Sequence, residues 1–403
     1  MKHVYYATSN EAKFTDAKDF LGSTNPELTV EQLPIEIPEI QSDDHDAILM
    51  QKVDFVRAVT SVPFIVDDVS FYTERFPNFP GAYAKHLNGA LGIEGWRRLF
   101  DDGDSIRAVA RIALFNFGET RYFTGELPGS LRFDEGDDDQ AFSLNDHIVT
   151  EDGRMLRDAL ADPSFVNHRR SALIDLGRSL SLSNINSGDK KSEIAERWSS
   201  RAPGWKNIIE DDASYVNYEN NYERVNALIT KYAPLAKGKA LEVGCGTGEA
   251  GRILKTANPA LELLSTDIAD GMLAEARQQT AEAGLDIEYR QLDITSGSLG
   301  DEKFGMVISR GVVISHLPKA DIYDFLESAA SHTDTEGYLL FDFIQDTSVG
   351  EIEKPIDSKN EFTLEQMDEV LSHFGMKRID DAGSDEMRVR VVCYQRITSE
   401  EAA

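Results

Sequence analysis

Cysteine is nearly missing from this chain of 403 residues, which has only Cys245 and Cys393, in different expected elements. That excludes a disulfide framework and makes a reducing cytoplasm the expected setting. Long apolar runs are missing too. No stretch approaches the ~20 residues that cross a bilayer, and the opening Met1 to Ala7 turns polar too soon for a secretory leader, so no membrane role is expected. Basic residues are scarce: 41 Lys and Arg stand against 71 Asp and Glu, a formal charge of −30. Lys190-Lys191 and Arg169-Arg170 are only pairs. A chain this acidic, with no concentrated basic face, repels phosphodiester backbones, and no nucleic-acid partner is expected. Internal repeats and low-complexity tracts are absent. The apolar fraction of 41% suffices for ordinary cores, and the length fits two domains at about 100–200 residues each.

What is present centres on Leu241-Glu242-Val243-Gly244-Cys245-Gly246-Thr247-Gly248. A short apolar run, three glycines at every second position and a helical pattern from Glu249 to Ala257 read as strand, tight turn and helix. Glycine tolerates positive φ and lets a ligand lie against the backbone. The next strand-like run, Leu261 to Thr266, ends in Asp267, at the ~20-residue spacing of a ribose-binding carboxylate. Further strand-like runs follow: 287–292 ending in Asp293, then 304–309, 337–343, 376–380 and 389–395. Alternation with helices predicts a mainly parallel, doubly wound sheet.

The first half reads differently. A strand at 4–7 leads through Thr8, Asn10 and Lys13 into a helix over 11–21. That start is either an anion site or an ordinary helix cap. A strand at 28–33, the segment Pro38-Glu39-Ile40-Gln41 and a helix over 46–59 carrying Gln51 and Lys52 come next. Pro63 to Asp68 reads as a buried strand ending in two carboxylates. Paired carboxylates there need a cation or a proton between them, which makes Asp67 and Asp68 metal-ligand or general-base candidates. A helix over 93–100 follows the loop at 76–85. Ser183 to Lys191 is small and polar, and 183–192 reads as a linker. Trp198, Trp205, Tyr215, Tyr218 and Tyr222 form an aromatic lead-in to the second half, either core or a lid over a small ligand.

Taken together, Thr8, Asn10 and Lys13, Pro38-Glu39-Ile40-Gln41, Lys52, Asp67-Asp68, Pro80-Gly81-Ala82-Tyr83 and Asn167-His168-Arg169 resemble the inosine triphosphate pyrophosphatase family, which hydrolyses non-canonical purine nucleoside triphosphates. The likeness implies a mixed α/β domain over 1–182. It also implies that Thr8, Asn10, Lys13 and Lys52 hold the triphosphate, with Tyr83, Phe142, Asn145, His168 and Arg169 as further substrate contacts. Glu39, Asp67 and Asp68 would hold Mg²⁺, and Asp68 would activate the water that attacks the α-phosphorus. Homodimers are common in that family. The base end departs from the pattern. Phe142-Ser143-Leu144-Asn145-Asp146 replaces Phe-Gly-Trp-Asp-Pro, Pro163 stands where a base-contacting lysine is expected, and His86 replaces an aromatic residue. Groups that read a base edge carry specificity, so altered base preference, or binding without efficient turnover, is expected.

Over about residues 195–398, within a domain expected at 193–399, the second half resembles the class I S-adenosylmethionine-dependent methyltransferases, a Rossmann-like fold. That likeness assigns the cofactor to Glu242, Gly244, Cys245, Gly246, Gly248, Asp267, Met272, Asp293 and Ser309. A dinucleotide-binding Rossmann domain would show Gly-x-Gly-x-x-Gly instead. Arg310 and His316 follow the fourth strand on the acceptor side, and His316 is equally an ordinary structural histidine. No Asn-Pro-Pro-Tyr-like run and no Pro-Cys pair is present, which disfavours DNA-base methylation. The expected protein is a bifunctional cytoplasmic enzyme acting on a nucleoside triphosphate and a small, nucleotide-derived or other, methyl acceptor. A nucleotide-sensing or dimerising first domain is the alternative.

Overall fold

Two sheets of opposite habit organise the chain in the computed structural model, which describes residues 2–77, 79–133, 143–205, 221–296, 298–346 and 360–397. The chain divides into units Met1–Ser183 and Asn184–Ala403. Among the described residues no helix is long and apolar enough to cross a membrane.

In the first unit the elements run β1 (His3–Ala7), α1 (Glu11–Thr24), β2 (Thr29–Leu33), α2 (His45–Arg57), β3 (Phe64–Thr73), β4 (Pro80–Gly81), α3 (Ala84–Leu99), β5 (Ser105–Asn116), β6 (Glu119–Leu131), β7 (Ile148–Thr150) and α4 (Leu156–Ala159), followed by α5 (His168–Arg201), whose residues from Asn184 on belong to the second unit. The sheet order is β2-β1-β3-β5-β6-β7, with β4 on β3. β1 pairs parallel with β2 and β3, and the long β3, β5 and β6 pair antiparallel. Helix α2 shows why its sequence folds as it does. Asp44 caps it by accepting from the Asp46 and Ala47 N–H groups, and His45, Ile48, Leu49, Lys52, Val53 and Val56 form one buried stripe at helical spacing. Phe71, Trp96, Phe100, Ile106 and Leu144 belong to one core of this unit.

Three expectations change here. Asp67 and Asp68 do not end a strand: β3 runs on to Thr73, and they pair in register with Ile112 and Arg111 of β5. Two acidic residues read as a terminus, but continuous pairing with β5 carries the strand through them. The helix expected over 93–100 begins at Ala84 and is interrupted at Gly92, whose φ of 52° and ψ of −175° only glycine adopts readily. Residues 183–192 are not an irregular linker but part of α5. Tertiary bonds from Ser187 and Lys191, described below, override the weak helical preference of their small polar neighbours.

The second unit continues with α6 (Asn221–Tyr232), β8 (Lys239–Val243), α7 (Glu249–Ala257), β9 (Glu262–Asp267), α8 (Asp270–Glu282), β10 (Glu288–Gln291), β11 (Phe304–Ser309), α9 (Val313–His316), α10 (Ile322–His332), β12 (Thr333–Ile344), α11 (Leu364–His373), β13 (Met376–Ala382) and β14 (Val389–Arg396). Its order is β10-β9-β8-β11-β12-β14-β13. The first five strands pair parallel, β14 pairs antiparallel with β12, and β13 pairs antiparallel with β14. Alternating strands and helices thus give the doubly wound sheet expected, with β8 central and connections leaving to both sides. Val225, Ile229, Leu254, Met306, Ile308 and Leu340 share one core.

Helix α11 starts with a reciprocal cap: Thr363 Oγ1 accepts from Gln366 N–H at 3.1 Å, and Gln366 Oε1 accepts from Thr363 N–H at 2.9 Å. Thr363→Ala leaves one of these donors unpaired, and a loss of about 1 kcal/mol is expected in the urea unfolding of the second unit.

Candidate functional sites

In the first unit the chemistry gathers on β3. Neighbouring strand residues point to opposite faces, and the partners of Asp67 and Asp68 follow that rule. Asp67 takes Lys13 Nζ at 3.1 Å on Oδ1 and Arg169 Nε at 3.0 Å on Oδ2. Asp68 takes Lys52 Nζ at 2.6 Å on Oδ1 and His45 Nε2 at 2.8 Å on Oδ2. The Lys52 ammonium also donates to the Asp67 carbonyl at 3.1 Å and meets Glu39 Oε1 at 2.9 Å. Burial alone would raise the pKa of Asp67. Lys13, Arg169 and Lys52 outweigh it and hold the carboxyl well below the usual carboxylate range. Asp68 is likewise lowered: burial opposes, and the bonds from His45 and Lys52 prevail. Burial would lower Lys52, but Asp68 and Glu39 keep it raised, hence charged.

The remaining candidates are placed as follows. Asn10 caps α1, its Oδ1 accepting from Lys13 N–H at 3.0 Å, and the Thr8 hydroxyl accepts from Asn10 N–H at 3.1 Å. The cap reading therefore holds for Asn10, while Lys13 turns its ammonium to Asp67. His168 is buried beside Phe71, its Nδ1 without a partner. Burial, then the neighbouring Arg169 charge, lowers its pKa to about 3. Asn145 lies in a single turn, Leu144–His147, and Tyr83 precedes α3. No hydrogen bond or ion pair among the described residues joins either to the β3 cluster. Phe142 lies outside the described residues. His86 and Pro163 are exposed.

Among the described residues no group of three or more His, Cys, Asp or Glu is gathered to hold a metal ion. The physical reason is the pleat: Glu39 and Asp68 share Lys52, whereas Asp67 is turned toward Lys13 and Arg169. Mg²⁺ asks for less than such a cage, since it keeps its waters and binds through one or two carboxylates plus substrate phosphates. Glu39 and Asp68 fit that demand. His45 escaped notice in the sequence. Its signal was there, seven residues before Lys52 on the same apolar stripe of α2.

In the second unit a cavity of about 460 Å³ lies over the C-terminal ends of the parallel strands. Gly244, Cys245, Gly246 and Thr247 line it, together with Glu242, Asp267, Met272 and Asp293. Gly244 and Gly246 have φ of 67° and 53°, and a Cβ on Gly246 would meet nothing within 4 Å, so its backbone is open to a ligand. Asp267 accepts one backbone N–H on each oxygen, from Gly246 and from Ala269, both at 2.8 Å. Burial raises its pKa against those two bonds. Met272 packs with Ala202, Ala269, Trp198 and Trp205. Tyr215 and Tyr218 of the aromatic lead-in lie outside the described residues. Asp293 sits two residues beyond β10, not at its last position. It accepts from Thr295 N–H and Oγ1 on one oxygen and from Lys191 Nζ at 2.8 Å on the other. Burial would raise Asp293, but Lys191 lowers it. Lys191 also donates to Thr295 Oγ1 at 2.7 Å and meets Asp321 at 3.2 Å, and Ser187 bonds the same Asp321.

Two expected cofactor residues lie off the cavity lining. Ser309 is buried, donates to the Val243 carbonyl at 2.9 Å, and does not line the cavity. Gly248 also lies off the lining. At its φ of 77°, a Cβ would meet the Tyr289 hydroxyl at 2.6 Å. Glu242 lines the cavity, and each of its oxygens accepts one bond, from Gly251 N–H at 2.9 Å and the Ser265 hydroxyl at 2.6 Å. Cys245 is buried, which raises its thiol pKa well above the ordinary value. His316 lines the cavity with its ring edge-on to Trp198. Asn221 and Asp342, treated below, were not legible in the sequence.

Residues 4–176 match the Ham1 family and residues 240–337 match the methyltransferase domain family. The first part of the chain is 27% identical over 176 residues to the dITP/XTP pyrophosphatase of Methanopyrus kandleri, covering 42% of this chain and 92% of that protein. It is 27% identical over 130 residues to that of Pyrococcus horikoshii, covering 32% and 69%. Among solved structures, the magnesium protoporphyrin IX methyltransferase of Synechocystis, with bound S-adenosylmethionine, aligns at 18% identity and a TM-score of 0.42, covering 51% of this chain and 97% of that one. The protein is an enzyme that joins a Ham1-like domain to a methyltransferase domain.

Burial, opposed by Ser265, Arg310 and Gly251, pushes Glu242 up to about 7. An unfolded glutamate titrates near ~4.3, so between these values the folded unit holds the extra proton. Its favourable contribution is complete below the unfolded pKa and is lost as pH rises through about 7. Between pH 5 and pH 8, the urea midpoint of the second unit is expected to fall more in the wild type than in Glu242→Gln.

Proposed function

We propose that the chain hydrolyses a nucleoside triphosphate to monophosphate and pyrophosphate with Mg²⁺ in its first unit, and transfers a methyl group from S-adenosylmethionine to a small acceptor in its second. The observation that carries the first half is the Glu39–Lys52–Asp68 junction. It combines a fixed cation for phosphate oxygens, a carboxylate whose orientation is set from both sides, and a second carboxylate within reach of the same ammonium. Mg²⁺ held by Glu39 and Asp68 would supply positive charge where phosphate charge develops. Asp68 orients the attacking water and takes its proton. Lys13, Lys52 and Arg169 draw in the triphosphate, and Asp67 holds Lys13 and Arg169 in place before substrate arrives. The relatives that bear the dITP/XTP pyrophosphatase name make a non-canonical purine triphosphate the first substrate to test.

The second half rests on the cavity at the ends of β8, β9 and β10. Its volume suits a ligand of nucleoside size. Asp267 retains accepting capacity for ribose hydroxyls, Met272 offers an apolar face to a base, and Asp293 offers an acceptor for an exocyclic amine. The acidic lining favours a sulfonium cation. That cofactor would supply an activated methyl group, and the glycine backbone and Asp267 would fix its position for in-line displacement.

Pyrophosphate release from ITP, XTP and dITP with Mg²⁺ is the test of the first activity. Asp68→Ala is expected to lower kcat by 10² or more, in the range of lost acid–base catalysis. Absence of release with every triphosphate would sink the hydrolase reading in favour of a sensing or dimerising unit. For the second, calorimetry should show saturable S-adenosylmethionine binding, weakened at least tenfold in Asp267→Ala. Unchanged binding in that variant would refute the assignment of the ribose carboxylate.

A further inference from the structure

The methyl acceptor itself has a chemical class, and this inference rests on the cofactor reading of the same cavity. Asp267 ends β9 and Asp293 follows β10, on one side of central β8. The other half of the cavity lies past the end of β11, at Arg310, Gly311 and Val312, with Asn221 at the start of α6. With adenosine on the Asp267 side, this second half is left for the acceptor.

Its charges are one-sided. Arg310 is the single Lys or Arg lining the cavity among the described residues, and its guanidinium is committed. Nη2 donates to Glu249 Oε2 at 2.7 Å, Nη1 donates to Asn226 Oδ1 at 3.0 Å, and the group lies 4.5 Å from the Tyr222 ring centre. Glu223 also lines the cavity and has no ion pair among the described residues. An incoming phosphate or carboxylate would thus meet unpaired Glu223 and no Lys or Arg that is free of a carboxylate partner among the described residues.

A second, independent observation concerns Asn221, which is 5% exposed. Its Nδ2 donates to Asp342 Oδ2 at 2.6 Å. Asp342 also accepts the N–H groups of Gly311 and Val312, at 3.0 and 2.8 Å. A carboxylate facing the amide fixes its orientation, because only the NH₂ end can donate. The Asn221 carbonyl oxygen is thereby turned away from Asp342, and it is buried without a partner among the described residues. A buried acceptor left unmet is costly, and this one belongs to a cavity wall.

We propose that the acceptor half of the cavity binds an amine, neutral or cationic, whose N–H is received by Asn221 Oδ1 and whose positive charge is balanced by Glu223, and that phosphorylated or carboxylated acceptors are rejected. In the transfer the free-base nitrogen lone pair forms the new C–N bond. The C–S bond breaks with its electron pair passing to sulfur, and the nitrogen then releases one proton to water. The monophosphate left by hydrolysis in the first unit is therefore not the methyl acceptor of the second.

Calorimetry of the full chain with tryptamine, its acid counterpart indole-3-propionate and inosine monophosphate tests this, each run with and without S-adenosylhomocysteine. Tryptamine is expected to bind at least tenfold more tightly than either anion. Glu223→Gln should shrink that margin at least threefold, and Asn221→Leu should weaken tryptamine further. S-adenosylhomocysteine binding checks separately that each variant keeps a formed pocket. Equal or tighter binding of either anion, absence of tryptamine binding, or a margin unchanged in Glu223→Gln would overturn the proposal. Failure of S-adenosylhomocysteine alone would strike the cofactor reading, and the titrations without it would still decide the amine preference.

Discussion

A carboxylate taken out of water must be answered by something, and the two units answer in different ways. In the first, full charges do most of it: Asp67 is met by Lys13 and Arg169, and Asp68 by Lys52, with His45 at its other oxygen. These contacts tie α1, α2 and the start of α5 to the middle of β3. In the second unit neutral dipoles do most of the work. Asp267 is met by Gly246 and Ala269 N–H, Asp342 by Gly311 and Val312 N–H, and Glu242 by Gly251 N–H and Ser265. A buried charge needs partners in either case, but the residual field differs. Cation-matched carboxylates leave positive groups at hand for an anion. Dipole-matched ones have no paired cation competing for them, and burial raises Asp267 and Asp342 and pushes Glu242 up to about 7 as the cost. Triphosphate chemistry suits the former and a sulfonium suits the latter.

How much of this was legible follows from which residues act locally. The glycine loop and Asp267 were readable because strand, turn, helix and next strand lie within about thirty residues and share one geometry. Lys13, Lys52 and Asp67-Asp68 were readable as chemistry but not as arrangement. A one-dimensional reading ends a strand at its first charges, whereas in the sheet the main chain keeps pairing with β5 and side chains simply alternate faces. That alternation also separates Asp67 from the Glu39–Asp68 pair, with which the family resemblance grouped it. The expected linker failed for a related reason. Ser187 and Lys191 are unremarkable in sequence, and only the fold brings them to Asp321 and Asp293, more than a hundred residues away.

Residues that act through others were the least legible. His45 and Asp342 carry no motif, yet each determines the orientation of a group that does. His45 and Lys52 grip Asp68 from opposite oxygens, so the carboxylate is oriented before any substrate enters. Such restraint is worth having at a reacting group, because misplacement by about 1 Å can cost 10²-fold in rate.

Asp342 performs the corresponding task beside the cavity, and there it holds strain. Val312 is buried with φ of 51°, a left-handed conformation that a β-branched residue adopts only under constraint. Such backbone strain costs on the order of 1–3 kcal/mol and persists where surrounding structure over-determines it. Here the determinants are identifiable. Asp342 fixes the N–H groups of Gly311 and Val312, Asn221 fixes Asp342, and Val313 closes against Gly244, where a Cβ would come within 2.7 Å of its Cγ2. The loop after β11 is therefore wedged between the glycine turn and a buried carboxylate. One consequence is that the wall of the cavity facing β8 is preformed. Another is that the same asparagine amide that supports the strained turn keeps an unpartnered carbonyl oxygen among the described residues, so one side chain serves both the scaffold and the proposed acceptor contact.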